Sequence, residues 1–172
     1  MSGARVRPDH VTGFRMRGEL VGVESIGMPA HGCDAIALES CEVWELAFPP
    51  VLDACVRIPE LQERLTAALA GEIRRDRVWI LAFASLTAEQ RLALFLLDLA
   101  ARHADLGFSA NRFRLRMKKL DIASFLAVKP ETVSRIFGTL ASAELVTIRH
   151  KEVEILDAKG LRRLAGMDPR LH

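Results

Sequence analysis

The sequence predicts an α+β protein, and three patterns along the chain carry that prediction. Residues 12–48 contain short apolar runs broken by glycines, which is typical of short β-strands. In residues 59–85 apolar side chains recur every three or four positions, which predicts one long helix. The last third of the chain mixes helical with alternating patterns. We therefore expect three regions, which are residues 1–58, 59–86 and 87–172.

The composition indicates a globular protein outside the membrane. Half of the 172 residues are apolar, which is enough for a sizeable core. No apolar run is long enough to span a bilayer, and no apolar stretch follows the basic start MSGARVRPDH, as it would in a secretory signal. We therefore expect a cytoplasmic protein. The cysteines form no CxxC pair, so we expect no disulfide framework but small buried side chains at Cys33, Cys41 and Cys55.

The charge is unevenly distributed. The whole chain carries a formal charge of +2, but residues 109–172 carry +6, from 13 Lys and Arg against 7 Asp and Glu. Residues 1–108 carry −4, from 11 basic against 15 acidic side chains. A basic C-terminal third is what contact with phosphates requires, although many solvated surfaces show a similar imbalance.

The long helix carries a stripe that fits either a coiled-coil seam or an ordinary core. Asp76 is the informative member of this stripe. In a seam it would meet its counterpart in a second copy and weaken the pairing, because like charges repel. If it points outward with Arg75 and Arg77, it has no such effect, and the sequence leaves both arrangements open. The stripe consists of Leu61, Leu65, Leu69, Ile73, Asp76, Ile80 and Phe83.

Residues 87–117 predict a helix and then a strand. Thr87 with Gln90 three residues later reads as a capping box, and Gly107 is suited to end the helix that follows. Residues 111–117 alternate between apolar and arginine side chains, which predicts a half-buried strand with a basic face.

Residues 118–143 contain two amphipathic helices joined by a short turn. Pro130 suits the first position of the second helix, because its missing N–H is not needed there. Lys118 and Lys129 occupy the expected N-cap positions, where Ser or Thr would satisfy free N–H groups. The predicted apolar faces are Ile122, Phe125 and Leu126 in the first helix and Val133, Ile136, Phe137 and Leu140 in the second.

The second helix has an outward face suited to reading DNA. If Val133 and Ile136 are buried, an acid, a hydroxyl and a guanidinium project outward from Glu131, Ser134 and Arg135. These groups recognise base edges in a major groove. A surface salt bridge between Glu131 and Arg135 is the alternative, and we favour base reading. Two short strands around residues 149–152 then predict a hairpin with a basic tip, and a short helix closes the chain.

This stretch resembles the helix-turn-helix of the cyclic-AMP receptor/fumarate-and-nitrate-reduction (CRP/FNR) superfamily of bacterial regulators. Glu131, Ser134 and Arg135 match the Glu-x-x-Ser-Arg triplet of its fumarate-and-nitrate branch. The similarity extends from TGFRMRGELVG near Thr12 through GFSANRFRLRM to LRRLAG. Many relatives have glycine in the turn where this chain has Ala127, which is acceptable if its φ is negative.

The resemblance implies a transcription regulator with a C-terminal winged helix-turn-helix. It implies a homodimer whose long helix sets two reading helices about 34 Å apart on a TTGAT-like inverted repeat. The expected partners are double-stranded DNA, a second copy of the chain and RNA polymerase. The side chains expected to contact DNA phosphates are Lys118, Lys119, Lys129, Thr132, Arg149 and Lys151.

The resemblance also implies a partial sensor β-roll, of the cyclic-nucleotide-binding type, in residues 1–58. Gly18-Glu19-Leu20 matches a recurrent motif of that roll, which begins some tens of residues earlier in the family. We therefore expect an N-terminally truncated member. Cyclic-nucleotide members hold the phosphate with an Arg-Ser pair, where this chain has His31 and Gly32. Nucleotide binding is therefore not expected.

No cofactor is expected from the chain as it stands. Oxygen-sensing members bind a [4Fe–4S] cluster through an N-terminal cysteine cluster and one cysteine in the roll, a position that corresponds to Trp44 here. Because such a cluster needs four thiolates, only an N-terminal extension rich in cysteine would supply one. His31 with Cys33 and Asp34 would be a metal site by composition, but a polar loop tip is the favoured interpretation.

The alternative to a regulator is an interaction protein. A shortened relative with an intact dimerisation helix would form heterodimers with full-length regulators and titrate them. An enzyme is not expected, because the sequence has no nucleophile–base pair, no glycine loop for phosphates and no metal-ligand spacing.

Overall fold

The computed structural model describes residues 10–167, which form six α-helices, three β-strands and one 3-10 turn at Val23–Ser25. The chain divides into two compact units, Arg15–Ile80 and the described residues on either side of it. The predicted boundaries at residues 58 and 86 stay predictions, because α2 runs through both units. The elements are α1 (Phe48–Arg57), α2 (Pro59–Ser85), α3 (Ala88–Asp105), β1 (Arg112–Arg114), α4 (Lys119–Phe125), α5 (Pro130–Ser142), β2 (Val146–Arg149), β3 (Glu152–Ile155) and α6 (Ala158–Leu164).

The unit containing residues 81–167 has a closed apolar core around α3. The capping box is present at its start, since Thr87 Oγ1 accepts from the Gln90 N–H and Gln90 Oε1 accepts from the Thr87 N–H. The helix packs against α5 and α6. It contributes Leu92, Phe95 and Leu96, which are almost fully buried. This core fixes the helices that carry the site described below.

A three-stranded antiparallel sheet flanks the helix pair α4–α5. The strand order is β1–β3–β2, so β3 lies in the middle. Phe113 of β1 pairs with Val153 of β3, and Val153 also pairs with Ile148 of β2. Phe113 is buried in β1, and Leu115 and Met117 are buried beyond its end, which confirms the predicted apolar face, although β1 itself is shorter than the strand predicted for residues 111–117. The predicted hairpin is present as β2 and β3.

Residues 10–14 belong to this same unit. The Phe14 ring packs against the rings of Phe95 and Phe125, with centroids 5.7 and 5.4 Å away. The Val11 N–H donates to Ser124 Oγ at 3.0 Å, and Arg102 Nη2 donates to the Phe14 carbonyl at 2.7 Å. The short N-terminal segment is therefore held by side chains of α3 and α4.

In the unit Arg15–Ile80, helices α1 and α2 flank an apolar cleft of about 340 Å³. Its lining residues include Phe48, Leu52 and Cys55 of α1 with Leu65 and Leu69 of α2. A charge network lies elsewhere in this unit. Glu72 is buried; its Oε2 forms an ion pair with Arg15 Nη2 at 2.8 Å, and its Oε1 accepts a hydrogen bond from Arg75 Nη1 at 2.6 Å. Arg75 also lies 3.4 Å from Glu19.

The strands predicted for residues 12–48 are absent from the described part of this range, so the predicted β-roll remnant is wrong for it. The α+β class itself is confirmed, but its strands all come after residue 111. A strand exists only where a neighbour accepts and donates its backbone hydrogen bonds. No described segment provides such a neighbour here. The alternating apolar residues of this stretch therefore stay exposed, with Trp44 at 79%.

The cysteine prediction is confirmed at one position and wrong at two. Cys55 is buried on α1, while Cys33 and Cys41 are exposed. The two exposed cysteines lie in the stretch that forms no strands, which explains why no core covers them. Within residues 10–167, no helix combines the length and apolar character that crossing a membrane requires.

Candidate nucleic-acid interface

Helices α4 and α5 form a helix-turn-helix with the apolar faces that the sequence predicts. Ile122, Phe125 and Leu126 are buried, and so is the face of α5 formed by Val133, Ile136, Phe137 and Leu140. The turn between the helices spans residues 126–129. Burial of Val133 and Ile136 fixes the rotation of α5 about its axis, because residues three and four apart share a face.

That rotation leaves the three predicted base-reading side chains on the outside. Glu131, Ser134 and Arg135 are all exposed, within the first two turns of α5. An acceptor, a hydroxyl and a fork of N–H donors therefore point away from the core together. This arrangement matches the chemistry of base edges in a major groove.

Arg135 contacts a neighbouring side chain, that of Thr132, which no sequence pattern indicated. Its Nη2 donates to Thr132 Oγ1 at 3.4 Å. Among the described contacts no ion pair joins Arg135 to Glu131, so the alternative of an intrahelical salt bridge is not formed. The Glu131 carboxylate and most of the guanidinium donors thus remain available to a ligand.

Ser134 contacts a side chain from the preceding helix. Lys119 is the first residue of α4, and its Nζ donates to Ser134 Oγ at 3.2 Å. Lys119 was predicted to contact a phosphate, and the structure shows that it also reaches the outward face of α5.

The predicted phosphate-binding residues border α5 on two sides. Lys118 and Lys119 lie at the start of α4 and Lys129 at the start of α5, while Arg149 and Lys151 flank the hairpin tip. These five side chains are exposed, and Thr132 is half-buried. Lys151 Nζ also donates to the Arg116 carbonyl at 3.5 Å, which holds it near the end of β1.

The two helix starts differ in how they replace a serine or threonine cap. Neither lysine accepts a hydrogen bond from the helix, as expected for a side chain with donors only. At α4, Asp121 Oδ2 accepts from the Lys118 N–H at 2.8 Å, which is half of a capping box. At α5, Pro130 occupies the first position and has no N–H to satisfy. The acid three residues after Lys118 was the signal that sequence reasoning missed.

The turn between the helices contains a strained residue. Ala127 has φ +54°, in the left-handed region. Alanine is acceptable at this position only if its φ is negative, and the observed angle does not meet that requirement. Placing an L-residue with a Cβ in this region costs about 1–2 kcal/mol, which explains why glycine suits this turn.

The arginine face of β1 is not simply basic. The strand register places Glu154 opposite Arg112 and Glu152 opposite Arg114. Arg149 of β2 also faces Glu152. Opposite charges in cross-strand pairs reduce the positive potential of this face. The unbalanced positive charge near α5 therefore comes from the lysines at the two helix starts and from Lys151 at the hairpin tip.

The predicted dimer stripe on α2 changes environment along its length. Leu61, Leu65 and Leu69 are half-buried, and the last two line the cleft beside α1. Ile73, at 56%, and Ile80, at 65%, are exposed with Asp76 on the same helix face. Asp76 thus interrupts an exposed apolar strip, and whether it faces a second copy stays open.

Phe83, the last residue of the stripe, has contacts within its own unit. Its ring meets that of Phe125 edge-on, with centroids 6.2 Å apart, and the Arg91 guanidinium lies 5.6 Å from its centroid. It is still 39% exposed. Phe83 therefore connects the end of α2 with the helix-turn-helix whatever its role in a dimer.

The loop containing His31 has an internal hydrogen-bond network. Burial acts to raise the pKa of Glu24, but hydrogen bonds from its backbone, Cys33 and Ser25 outweigh it, so the pKa is lowered. The bond to Glu24, at 3.4 Å, raises the pKa of the Cys33 thiol, and partial burial adds to this. A protonated thiol is a poor metal ligand. Within residues 10–167, no cluster of three or more His, Cys, Asp or Glu side chains is arranged to hold a metal.

Residues 90–164 match the Crp-like helix-turn-helix domain family. This range contains α4, α5 and the hairpin, and it begins within α3. The match therefore covers the whole of the candidate interface.

Longer relatives align with most of this chain. It is 39% identical over 158 residues to the transcriptional activator protein Anr of Pseudomonas protegens, covering 92% of this chain and 65% of Anr. It is 35% identical to the fumarate and nitrate reduction regulatory protein of Escherichia coli, over 92% of this chain and 63% of that protein. The chain thus spans just under two thirds of these relatives.

The solved structure of FixK2 from Bradyrhizobium japonicum is similar to this one, with a TM-score of 0.60 and 26% sequence identity. The similarity covers 67% of this chain and 57% of FixK2.

Proposed function

Because this chain is homologous to transcription regulators of the CRP/FNR type and contains their Crp-like helix-turn-helix domain, we propose that it binds DNA and regulates transcription. The observation that carries the proposal is the rotation of α5, which buries Val133 and Ile136 and exposes Glu131, Ser134 and Arg135. With α5 in the major groove, Arg135 donates to guanine O6 and N7, and Glu131 accepts from cytosine N4.

The proposed target is an inverted repeat of TTGAT-like half-sites. The cations at the starts of α4 and α5 and at the hairpin tip contact phosphates on either side of the groove. Each phosphate contact releases counterions, so affinity falls steeply as salt rises. These contacts hold α5 in register but do not read the sequence.

The proposed active form is a homodimer. The exposed apolar strip at Ile73 and Ile80 supports pairing through α2, as does the two-fold symmetry of an inverted repeat. We further propose that the protein activates transcription through RNA polymerase, since the relative Anr is named a transcriptional activator. No cofactor is needed for the DNA contacts, and the absence of a resident cluster stays a prediction.

The test compares Arg135→Ala with Arg162→Ala, which removes an exposed arginine of α6 in the same domain. Binding is measured by fluorescence anisotropy on a TTGAT inverted repeat and on a scrambled duplex at one salt concentration. Arg135→Ala should weaken specific binding by about 1–3 kcal/mol, while Arg162→Ala has little effect on the preference for the repeat. Equal losses on both duplexes for Arg135→Ala would contradict base reading.

The homology does not favour a protein that only titrates longer relatives. The same assay separates the two functions, because a protein that acts only by titration shows no preference for the repeat.

A further inference from the structure

The first two turns of α5 carry two hydroxyls, those of Thr132 and Ser134, and a cation donates to each. Lys119 Nζ donates to Ser134 Oγ at 3.2 Å, and Arg135 Nη2 donates to Thr132 Oγ1 at 3.4 Å. Ammonium and guanidinium groups are donors only, so the direction of both hydrogen bonds is fixed. Each serine or threonine oxygen therefore uses one lone pair internally and keeps its own proton to donate.

We propose that Lys119 determines which bases Ser134 accepts in a DNA site. With the ammonium as its donor, the Ser134 hydroxyl faces the groove as a donor. The positive charge beside the oxygen also opposes the approach of a second N–H group. This inference rests on the proposed function and assigns Lys119 a role in base selection besides phosphate contact.

The base that Ser134 faces must therefore offer an acceptor. In the major groove, guanine presents N7 and O6, adenine presents N7, and thymine presents O4. Cytosine presents its N4 amino group, which is a donor. The structure thus predicts that cytosine is disfavoured at the position Ser134 reads, and that this discrimination depends on Lys119.

The geometry supports a stable contact between the two helices. Ile122 of α4 and Val133 of α5 are almost fully buried, so packing fixes the backbones from which Lys119 and Ser134 extend. Lys129 provides a matched control, because it is also an exposed lysine at a helix start. Among the contacts of residues 10–167, its ammonium has no hydrogen bond to a hydroxyl of α5.

The experiment measures binding of the full chain to duplexes in which each half-site position is replaced by each of the four bases. Ser134→Ala first identifies the base pair that Ser134 contacts, because the preference among the four bases should fall at that position of the half-site. At that position Lys119→Met should reduce the preference for guanine, adenine and thymine over cytosine by roughly threefold to tenfold. Lys119→Arg, which keeps a donor, should restore it. Lys129→Met should weaken binding to all the duplexes equally.

Two different results would separate the inference from the proposed function. If Lys119→Met weakens binding to all four bases equally, Lys119 is a phosphate contact only and the inference is wrong. If the unsubstituted chain shows no base preference at any position, the proposed function fails and the inference fails with it. A double substitution of Lys119 and Ser134 should lower the preference no further than Ser134→Ala alone.

Discussion

The two compact units differ in how their apolar residues are used. The ten largest fully buried side chains all belong to residues 92–161, in the unit that contains the helix-turn-helix. In Arg15–Ile80 the buried apolar residues are Cys55 and Trp79, whereas Val43, at 77%, and Trp44, at 79%, are exposed. Both units have enough apolar residues for a core, so composition does not explain the difference.

The difference lies in whether each element has a partner. Residues 112–114 become a strand because β3 lies beside them and exchanges backbone hydrogen bonds. Residues 35–46 have a partly alternating pattern too, but they have no neighbouring strand within the described chain. Alternation therefore predicts a strand only where the rest of the fold provides its neighbour.

The largest expected effect on the free energy of unfolding comes from removing a core side chain, and removing an exposed one is the control. Phe95→Ala removes a ring that is 1% exposed and packs against Phe14 and Phe125. It should lower the free energy of unfolding by about 3–5 kcal/mol. Trp44→Ala should change it by less than about 0.5 kcal/mol. Urea unfolding followed by circular dichroism measures both, and similar losses would contradict the contrast between the units.

A smaller effect tests whether residues 10–14 belong to the helix-turn-helix unit. Phe14→Ala removes two ring contacts, to Phe95 and Phe125, and should cost about 2 kcal/mol. Phe108→Ala is the control, because Phe108 is 59% exposed. The same unfolding measurement applies, and the assignment is wrong if the two substitutions have the same effect.

A gain in stability is expected at the turn of the helix pair. Ala127→Gly relieves the positive φ of 54° but adds flexibility to the unfolded chain. The net effect should be a stabilisation of about 1 kcal/mol. Ala143→Gly is a suitable control, because Ala143 is exposed with φ −82° and should gain nothing. A loss of stability in Ala127→Gly would mean that the turn is not strained.

The smallest expected effect concerns the exposed loop of the other unit. Glu24→Ala removes the hydrogen bond that is the main cause of the raised pKa of the Cys33 thiol, and it removes the carboxylate charge as well. A lower pKa gives more thiolate at pH 8, so alkylation of Cys33 should be faster by roughly twofold to fivefold. Cys41 should react at an unchanged rate, and mass spectrometry distinguishes the two peptides. An unchanged rate at Cys33 would show that the carboxylate does not influence it.

The sequence predicted the helix-turn-helix well, because its signals are local. Helical spacing gave the buried face of α5, and Thr87 with Gln90 gave the start of α3. The outward position of Arg135 then followed from the burial of Val133 and Ile136. All of these depend on residues within a few positions of each other, where helical geometry is fixed.

Other features depended on contacts that no local pattern encodes. The hydrogen bond from Lys119 to Ser134 joins residues on two helices, and that from Val11 to Ser124 joins residues over a hundred positions apart. Ala127 has a positive φ although alanine disfavours that region, so residue type alone pointed the wrong way. Strand prediction in residues 12–48 failed for the related reason that pairing is long-range.

The central position of β3 affects the helix pair. Both β1 and β2 form backbone hydrogen bonds with β3. The segment between β1 and β2, residues 115–145, is hydrogen-bonded at both of its ends. The Leu115 N–H donates to the Lys151 carbonyl, and the Leu145 carbonyl accepts from the Leu156 N–H. Residues 115–145 therefore form one segment that begins and ends at the sheet. We expect such a segment to be transplantable between homologues as a single cassette, which would exchange the recognised sequence while leaving the supporting sheet intact.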